Sequence, residues 1–196
     1  MKIALDIDAV LADFLSEFLH WRNKRFGTRW QRQDFWSYDW HVVFAEERRT
    51  LNAVLFDFFH SREIARIRPM PGAQRAVKKL KNLGHELSVI TSRPRLIADL
   101  TADWLERNFK SAFETVYFSN NPEWHSFGPD KGQIANAWGA ELFVDDQSQY
   151  CRESAREGIP ALLFDSPWNQ KDELPENVYR VIVWRDAVRI VKEIGG

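Results

Sequence analysis

The alternation of apolar, β-branched runs with helical segments constrains this chain most. HELSVIT, TVYF, ELFVDD, ALLF and RVIVW read as strands, and the segments between most of them carry apolar residues at helical spacing. Helices are expected at AQRAVKKLKNLG, from about Arg95 to Phe109, from Lys131 to Trp138 and from Ser148 to Glu157, with a last one after RVIVW. Strands alternating with helices call for a parallel sheet covered on both faces. A further strand, Ile3 to Ile7, opens the chain. The stretch between it and this rhythm has no strand signal: LADFLSEFLHWRNKRF is an amphipathic helix stopped at Gly27, residues 28–43 are irregular and aromatic, and residues 45–61 form a second helix. The expected fold is α/β: a Rossmann-like three-layer parallel-sheet core, residues 1–13 and 71–196, with a small helical cap, residues 14–70, inserted after the first strand.

The first strand carries two carboxylates, Asp6 and Asp8, in an otherwise apolar run. Strand residues two apart share a face, so both are expected to crowd at one end of the strand, where something must neutralise them. In open parallel sheets ligands bind at the carboxyl ends of strands, near a topological switch point. Three more polar stretches fall at that edge: ITSRP at 90–94, PDKGQ at 129–133 and FVDDQ at 143–147. Together they offer carboxylates for a cation, and hydroxyls and a lysine for an anion, an inventory that suits a metal-bound phosphoryl group. Each motif also has a local reading. Asp6-x-Asp8 and Ser92 could cap turns, Asp130 with Gln133 fits a capping box that would leave Lys131 on the surface, and Asp146 with Gln149 allows the same cap. Adjacent Asp145 and Asp146 are harder to explain this way, because paired carboxylates raise each other's pKa unless a cation intervenes.

Composition narrows the partners. With 27 basic and 28 acidic residues the net charge is −1, so no global field recruits nucleic acid or membrane. Cys151 is the single cysteine and forms no internal disulfide, which fits a cytoplasmic location. No signal-peptide pattern and no stretch of about 20 apolar residues is present, so no membrane partner is expected.

The four motifs, DIDAV, Thr91-Ser92, Lys131 and Asp145-Asp146, occur in the order seen in the haloacid dehalogenase-like phosphohydrolase superfamily, which the chain resembles. LDIDAVLADF, PMPGA, DK and LLFDSPWN are similar to segments of its deoxyribonucleotidases of the cytosolic and mitochondrial 5'-nucleotidase type. The resemblance implies a Mg²⁺-dependent phosphomonoesterase for a small phosphorylated substrate, with a (deoxy)nucleoside 5'-monophosphate favoured. By the same resemblance Asp6 is the nucleophile that forms an aspartyl-phosphate, and Asp8 is the acid/base. Thr91, Ser92 and Lys131 hold the phosphate. Asp6, the carbonyl of Asp8 and Asp146 ligate the metal, with Asp145 direct or behind it. One position departs from the pattern: Ala9 stands where these nucleotidases typically have Gly, and a φ above zero there costs on the order of 1 kcal/mol.

Phe14 matches the aromatic beneath the base in that pattern, and Trp36 and Tyr38 in DFWSYDW are further stacking candidates, although such rings are commonly packing residues. The alternative reading starts from WRNKRFGTRWQRQ, whose interleaved basic and aromatic residues could serve a polynucleotide-end phosphatase or a catalytically weak nucleic-acid-binding protein, if they are not simply a solvated face. A homodimer covering an apolar patch of the cap is also open.

Overall fold

The computed structural model describes residues 1–121, 124 and 127–195. Six strands, β1 (Lys2–Leu5), β2 (Glu86–Thr91), β3 (Val116–Phe118), β4 (Leu142–Asp145), β5 (Ala161–Phe164) and β6 (Val178–Val181), form one sheet in the order β3-β2-β1-β4-β5-β6. All neighbours are parallel, with Leu5 opposite Val89 on one side and Val144 on the other. The strand order reverses at β1 and β4, so the carboxyl ends of these two central strands mark the switch point.

The helices are α1 (Phe14–Phe26), α2 (Trp40–Val43), α3 (Arg48–Phe59), α4 (Ala73–Asn82), α5 (Ala98–Phe109), α6 (Lys131–Trp138), α7 (Ser148–Arg156) and α8 (Trp184–Gly195). Alternation along the strands divides the core in two. Ile3, Leu5, Val89 and Leu142 join residues of α4, α5 and α8, whereas Ala4, Ile90, Phe143 and Leu163 join residues of α6 and α7. The expected three-layer architecture is therefore present, with the larger apolar cluster running on into Phe14, Phe18, Phe35 and Phe58.

Between β1 and α4 the chain leaves and returns by one narrow crossing. Asp13 N–H donates to the Arg68 carbonyl and Met70 N–H to the Leu11 carbonyl, each at 2.8 Å. Ala9 has φ of 58°, so the position where Gly was expected does adopt the left-handed backbone, closed by a 2.8 Å bond from its N–H to the Ala12 carbonyl.

Two local expectations are corrected. The aromatic stretch at 28–43 is not wholly irregular, because it contains a 3₁₀ turn, Arg32–Asp34, and the short α2. The last strand is Val178–Val181 rather than Arg180–Trp184: Ile182 and Val183 are exposed, and Trp184 already opens α8, its buried indole donating to the Val10 carbonyl at 2.9 Å. An apolar run does not itself say where a strand yields to a helix. Among the described residues, no helix is long and apolar enough to cross a membrane.

Candidate active site

β1 ends at Leu5, so the two-residue alternation does not extend to Asp8, and different cations neutralise the two acids. Asp6 turns into the sheet end, where Lys131 Nζ lies 2.8 Å from its carboxylate and 2.8 Å from that of Asp145 on the neighbouring β4. Asp8 turns outward, its carboxylate gripped by Arg93 through Nε at 2.9 Å and Nη2 at 2.7 Å. This planar, two-bonded geometry is one that arginine provides and lysine does not.

Lys131 illustrates how a local and a functional reading can both hold. The capping box forms: Asp130 accepts from Gln133 N–H at 2.8 Å and its own N–H donates to Gln133 Oε1 at 3.1 Å. That cap starts α6 so that Lys131, its first residue, points beneath the sheet end and is fully buried. Gly132 permits this placement, because a Cβ there would stand 2.6 Å from the Glu153 backbone. By contrast, Asp146 and Gln149 form no cap; Gln147 occupies the N-cap position of α7, and Asp146 instead accepts from the Trp168 indole at 2.9 Å.

Asp6, Asp145 and Asp146 offer carboxylate oxygens that all lie within 4.8 Å of one another. Burial pushes the Asp6 carboxyl up to about 7, with Lys131 opposing the rise and Asp145 and Asp8 adding to it. Burial likewise raises Asp145, and it raises Asp146 well above the carboxylate range, reinforced there by Asp145 and Asp6. For Lys131 burial favours loss of the proton, but the attraction of Asp145 and Asp6 outweighs it and the net shift is upward. With all three carboxyls ionised, one ammonium would leave two negative charges uncompensated in a buried cluster, which is what raises them when no cation is bound. A divalent ion that takes oxygen ligands, such as Mg²⁺, matches that charge and donor set. Asp145 already accepts from Lys131 and from Gln147 N–H at 2.9 Å, whereas Trp168 holds only one carboxylate oxygen of Asp146. Asp8 contributes no carboxylate oxygen to this group.

Above the cluster lies a cavity of about 390 Å³ lined by Asp8, Ser92, Arg93 and Asp146 below, and by Phe14, Tyr38, Trp40, His41 and Arg48 from the inserted segment. Its size is within the range of small-molecule sites. Ser92 faces it beside Tyr150, whose ring centre lies 4.2 Å from Lys131 Nζ. Thr91 is buried at the end of β2, where its hydroxyl accepts from Arg93 N–H at 3.2 Å; it does not line the cavity.

The aromatic candidates separate. Phe14 borders the cavity but is 8% exposed, packed among Phe18, Trp40, Phe58 and Phe59. Tyr38 borders it and is partly exposed. Trp36 is 65% exposed and stands away from it, because its neighbour Phe35 takes the inward position against Trp40 and Phe44. Trp40, stacked on Phe18 with ring centres 5.5 Å apart, lines the cavity. Of the basic residues in the WRNKRF stretch and beyond, Arg22 is buried on Phe44 and paired with Glu46, Arg25 is paired with Asp57, and Arg32 bonds Ser166. Cys151 is buried, and burial pushes its thiol up, which makes it inert.

Arg93, Trp168 and Tyr150 are the site residues that the sequence reading did not single out. The first two lie inside quoted motifs, ITSRP and LLFDSPWN, but only the fold shows which acid each one reaches.

The chain is similar to known proteins over most of its length. YqfW of Bacillus subtilis, an inferred nucleotidase, is 24% identical over 192 residues, covering 96% of this chain and 92% of that one. An inferred nucleotidase of Oceanobacillus iheyensis is 26% identical over 119 residues, 61% of this chain, and the match spans 59% of that protein's length. A haloacid dehalogenase-like family hydrolase from Streptococcus pneumoniae shares the fold with a TM-score of 0.68 at 13% identity, over 96% of this chain and 97% of that one. The family model described as 5' nucleotidase, deoxy (pyrimidine), cytosolic type C protein matches residues 1–194, and the chain therefore belongs to that family of phosphatases.

Proposed function

We propose that this protein is a Mg²⁺-dependent phosphomonoesterase that hydrolyses a nucleoside 5'-monophosphate through an aspartyl-phosphate. The observation that carries this reading is the division of labour between two acids at one sheet end: Asp6, buried beneath the cavity and held by Lys131, and Asp8, which lines the cavity and is held by Arg93. Groups in such different environments suit the two roles that the reaction requires. The Asp6 carboxylate attacks phosphorus, the P–O bond to the nucleoside breaks, and Asp8 delivers a proton to the departing oxygen. Asp8 then takes a proton from water as that water attacks phosphorus, releasing inorganic phosphate and restoring Asp6. Ser92 and Lys131 hold the non-bridging oxygens electrostatically. The carboxylates of Asp6, Asp145 and Asp146 would hold the metal, and a contribution from Asp8 would come through its carbonyl. When bound, the ion offsets repulsion between the anionic nucleophile and the phosphate. Residues 14–70 act as the cap, a reading supported by the crossing at Leu11–Asp13 and Arg68–Met70. In that cap Trp40 and Tyr38 are better placed than Trp36 to meet a base, while Phe14 serves mainly as packing beneath them.

The test is phosphate release from 5'-mononucleotides, sugar phosphates and 3'-phosphorylated oligonucleotides, with Mg²⁺ or EDTA, by wild type and Asp6→Asn. Metal-dependent turnover of mononucleotides that Asp6→Asn abolishes is expected. Turnover confined to oligonucleotides would overturn the substrate assignment, and EDTA-insensitive turnover the metal.

A further inference from the structure

Trp168 lies in the loop after β5, and its indole N–H points back to β4, donating to Asp146 Oδ2 at 2.9 Å and to the Asp146 carbonyl at 3.3 Å. The loop is anchored without it. Asn169, 1% exposed, donates to the carbonyls of Asp146 at 2.7 Å and Phe164 at 2.8 Å and accepts from Ser166 N–H at 3.2 Å. Arg180 on β6 bonds the Asn169 carbonyl at 2.9 Å and pairs with Asp165 at 2.9 Å. The indole is thus delivered from a rigid support to the acid that directly follows a neighbouring strand. An indole nitrogen can only donate, so this bond keeps Oδ2 as an acceptor and fixes the side chain while the other oxygen is left for coordination. That matters for Asp146, which shares a buried cluster with two like-charged carboxylates.

A face of the ring is covered from the inserted segment. The Arg32 guanidinium lies 4.9 Å from the Trp168 ring centre, donates to Ser166 Oγ at 3.2 Å and stands 3.7 Å from Asp13. One side chain of the 14–70 segment therefore clamps the residue that holds a candidate metal ligand of the core. Outer-shell partners of metal ligands set ligand orientation and commonly change affinity 10–100-fold when removed.

We propose that Trp168 is a positioning residue for the divalent metal, orienting Asp146 through its N–H, and that Arg32 makes this orientation depend on docking of the 14–70 segment. The proposal rests on the reading of Asp6, Asp145 and Asp146 as the metal site. The experiment is calorimetric titration of Mg²⁺ and Mn²⁺ into the full chain, as wild type, Trp168→Phe, Arg32→Met, the double variant and Asp146→Asn, with the metal-free melting temperature of each. Trp168→Phe keeps a ring and removes the donor, so its affinity should fall about 10–100-fold. Arg32→Met, which leaves the ligands and the indole in place, should weaken binding about two- to fivefold, the range of an exposed cation–π contact. The double variant should bind no more weakly than Trp168→Phe alone, because both act through one hydrogen bond. Wild-type binding that Asp146→Asn weakens but both Trp168→Phe and Arg32→Met leave within twofold would overturn the proposal and preserve the metal reading. Should Trp168→Phe lose its metal-free melting transition, Arg32→Met alone decides. Absence of binding to wild type would overturn the metal reading, and this proposal with it.

Discussion

Replacing Lys131 by Met tests the electrostatics of the buried cluster directly, because methionine preserves most of the side-chain length and removes only the ammonium. Lys131 is fully buried, with Asp6 and Asp145 each 2.8 Å away. At an effective dielectric constant of about 20, each contact is a gross attraction of about 6 kcal/mol. The net loss is smaller, because an orphaned carboxylate can take up a proton. Asp6 already sits at about 7, so the carboxyl to be neutralised is Asp145: from an ordinary value of 3.8 that costs about 4 kcal/mol at pH 7 and about 2 kcal/mol at pH 5. Removing one partner of a buried ion pair commonly costs about 3–5 kcal/mol, in agreement with that ceiling. Metal-free Lys131→Met should therefore be less stable than wild type by about 4 kcal/mol at pH 7 and by about half of that at pH 5. Urea unfolding in EDTA at the two pH values measures both differences. A loss below about 1 kcal/mol at pH 7, or one of equal size at both, would show that the buried ion pairs do not carry the energy their geometry implies.

Other outcomes follow from the same geometry. Ala9→Gly should stabilise the chain by about 0.5 kcal/mol, since relief of the left-handed Cβ strain at φ 58° exceeds the added unfolded-state entropy of glycine; the shift of the urea midpoint at constant slope measures it. Arg93→Met frees the Asp8 carboxylate and should reduce kcat by about 10²–10⁴-fold on alkyl phosphates, and much less on aryl phosphates whose leaving groups depart without a proton; equal losses would refute the positioning of Asp8 by Arg93. Because burial raises Asp6 to about 7 from 3.8, the folded metal-free protein holds a proton that the unfolded chain has released, and its stability should fall by up to about 4 kcal/mol as pH rises from 4 to 7. On the proposed metal site, Mg²⁺ added to the deprotonated cluster should raise the melting temperature more at pH 8 than at pH 6; a metal-free melting temperature that climbs between pH 4 and 7 would refute the Asp6 assignment.

Much of this protein was legible along the chain because the relevant physics is local. Helical and strand periodicity locate the core elements, Asp130 with Gln133 announces the start of α6, and Ala9, standing where the resembling nucleotidases have Gly, marks the left-handed position that its φ of 58° occupies. Where the signal was a uniform apolar run, as at Val178 to Trp184, the boundary was lost. The sequence also placed Asp6, Ser92, Lys131, Asp145 and Asp146 at one sheet edge, since each ends a strand, follows one or opens a helix.

What the tertiary structure decided is which charge meets which. Nothing in ITSRP says that Arg93 reaches back across 85 positions to Asp8, or in DSPWN that the Trp168 indole faces Asp146. Sequence periodicity had Asp6 and Asp8 side by side, but β1 ends at Leu5 and the two acids diverge to separate cations. Likewise Phe35 and Trp36 are indistinguishable as aromatic residues, yet one is buried and the other exposed, because only the packed helices define an inside. Local patterns determine where a polar group leaves its strand or helix; its partner, and with it the charge state and chemistry of the site, is set by contacts between segments far apart in the chain.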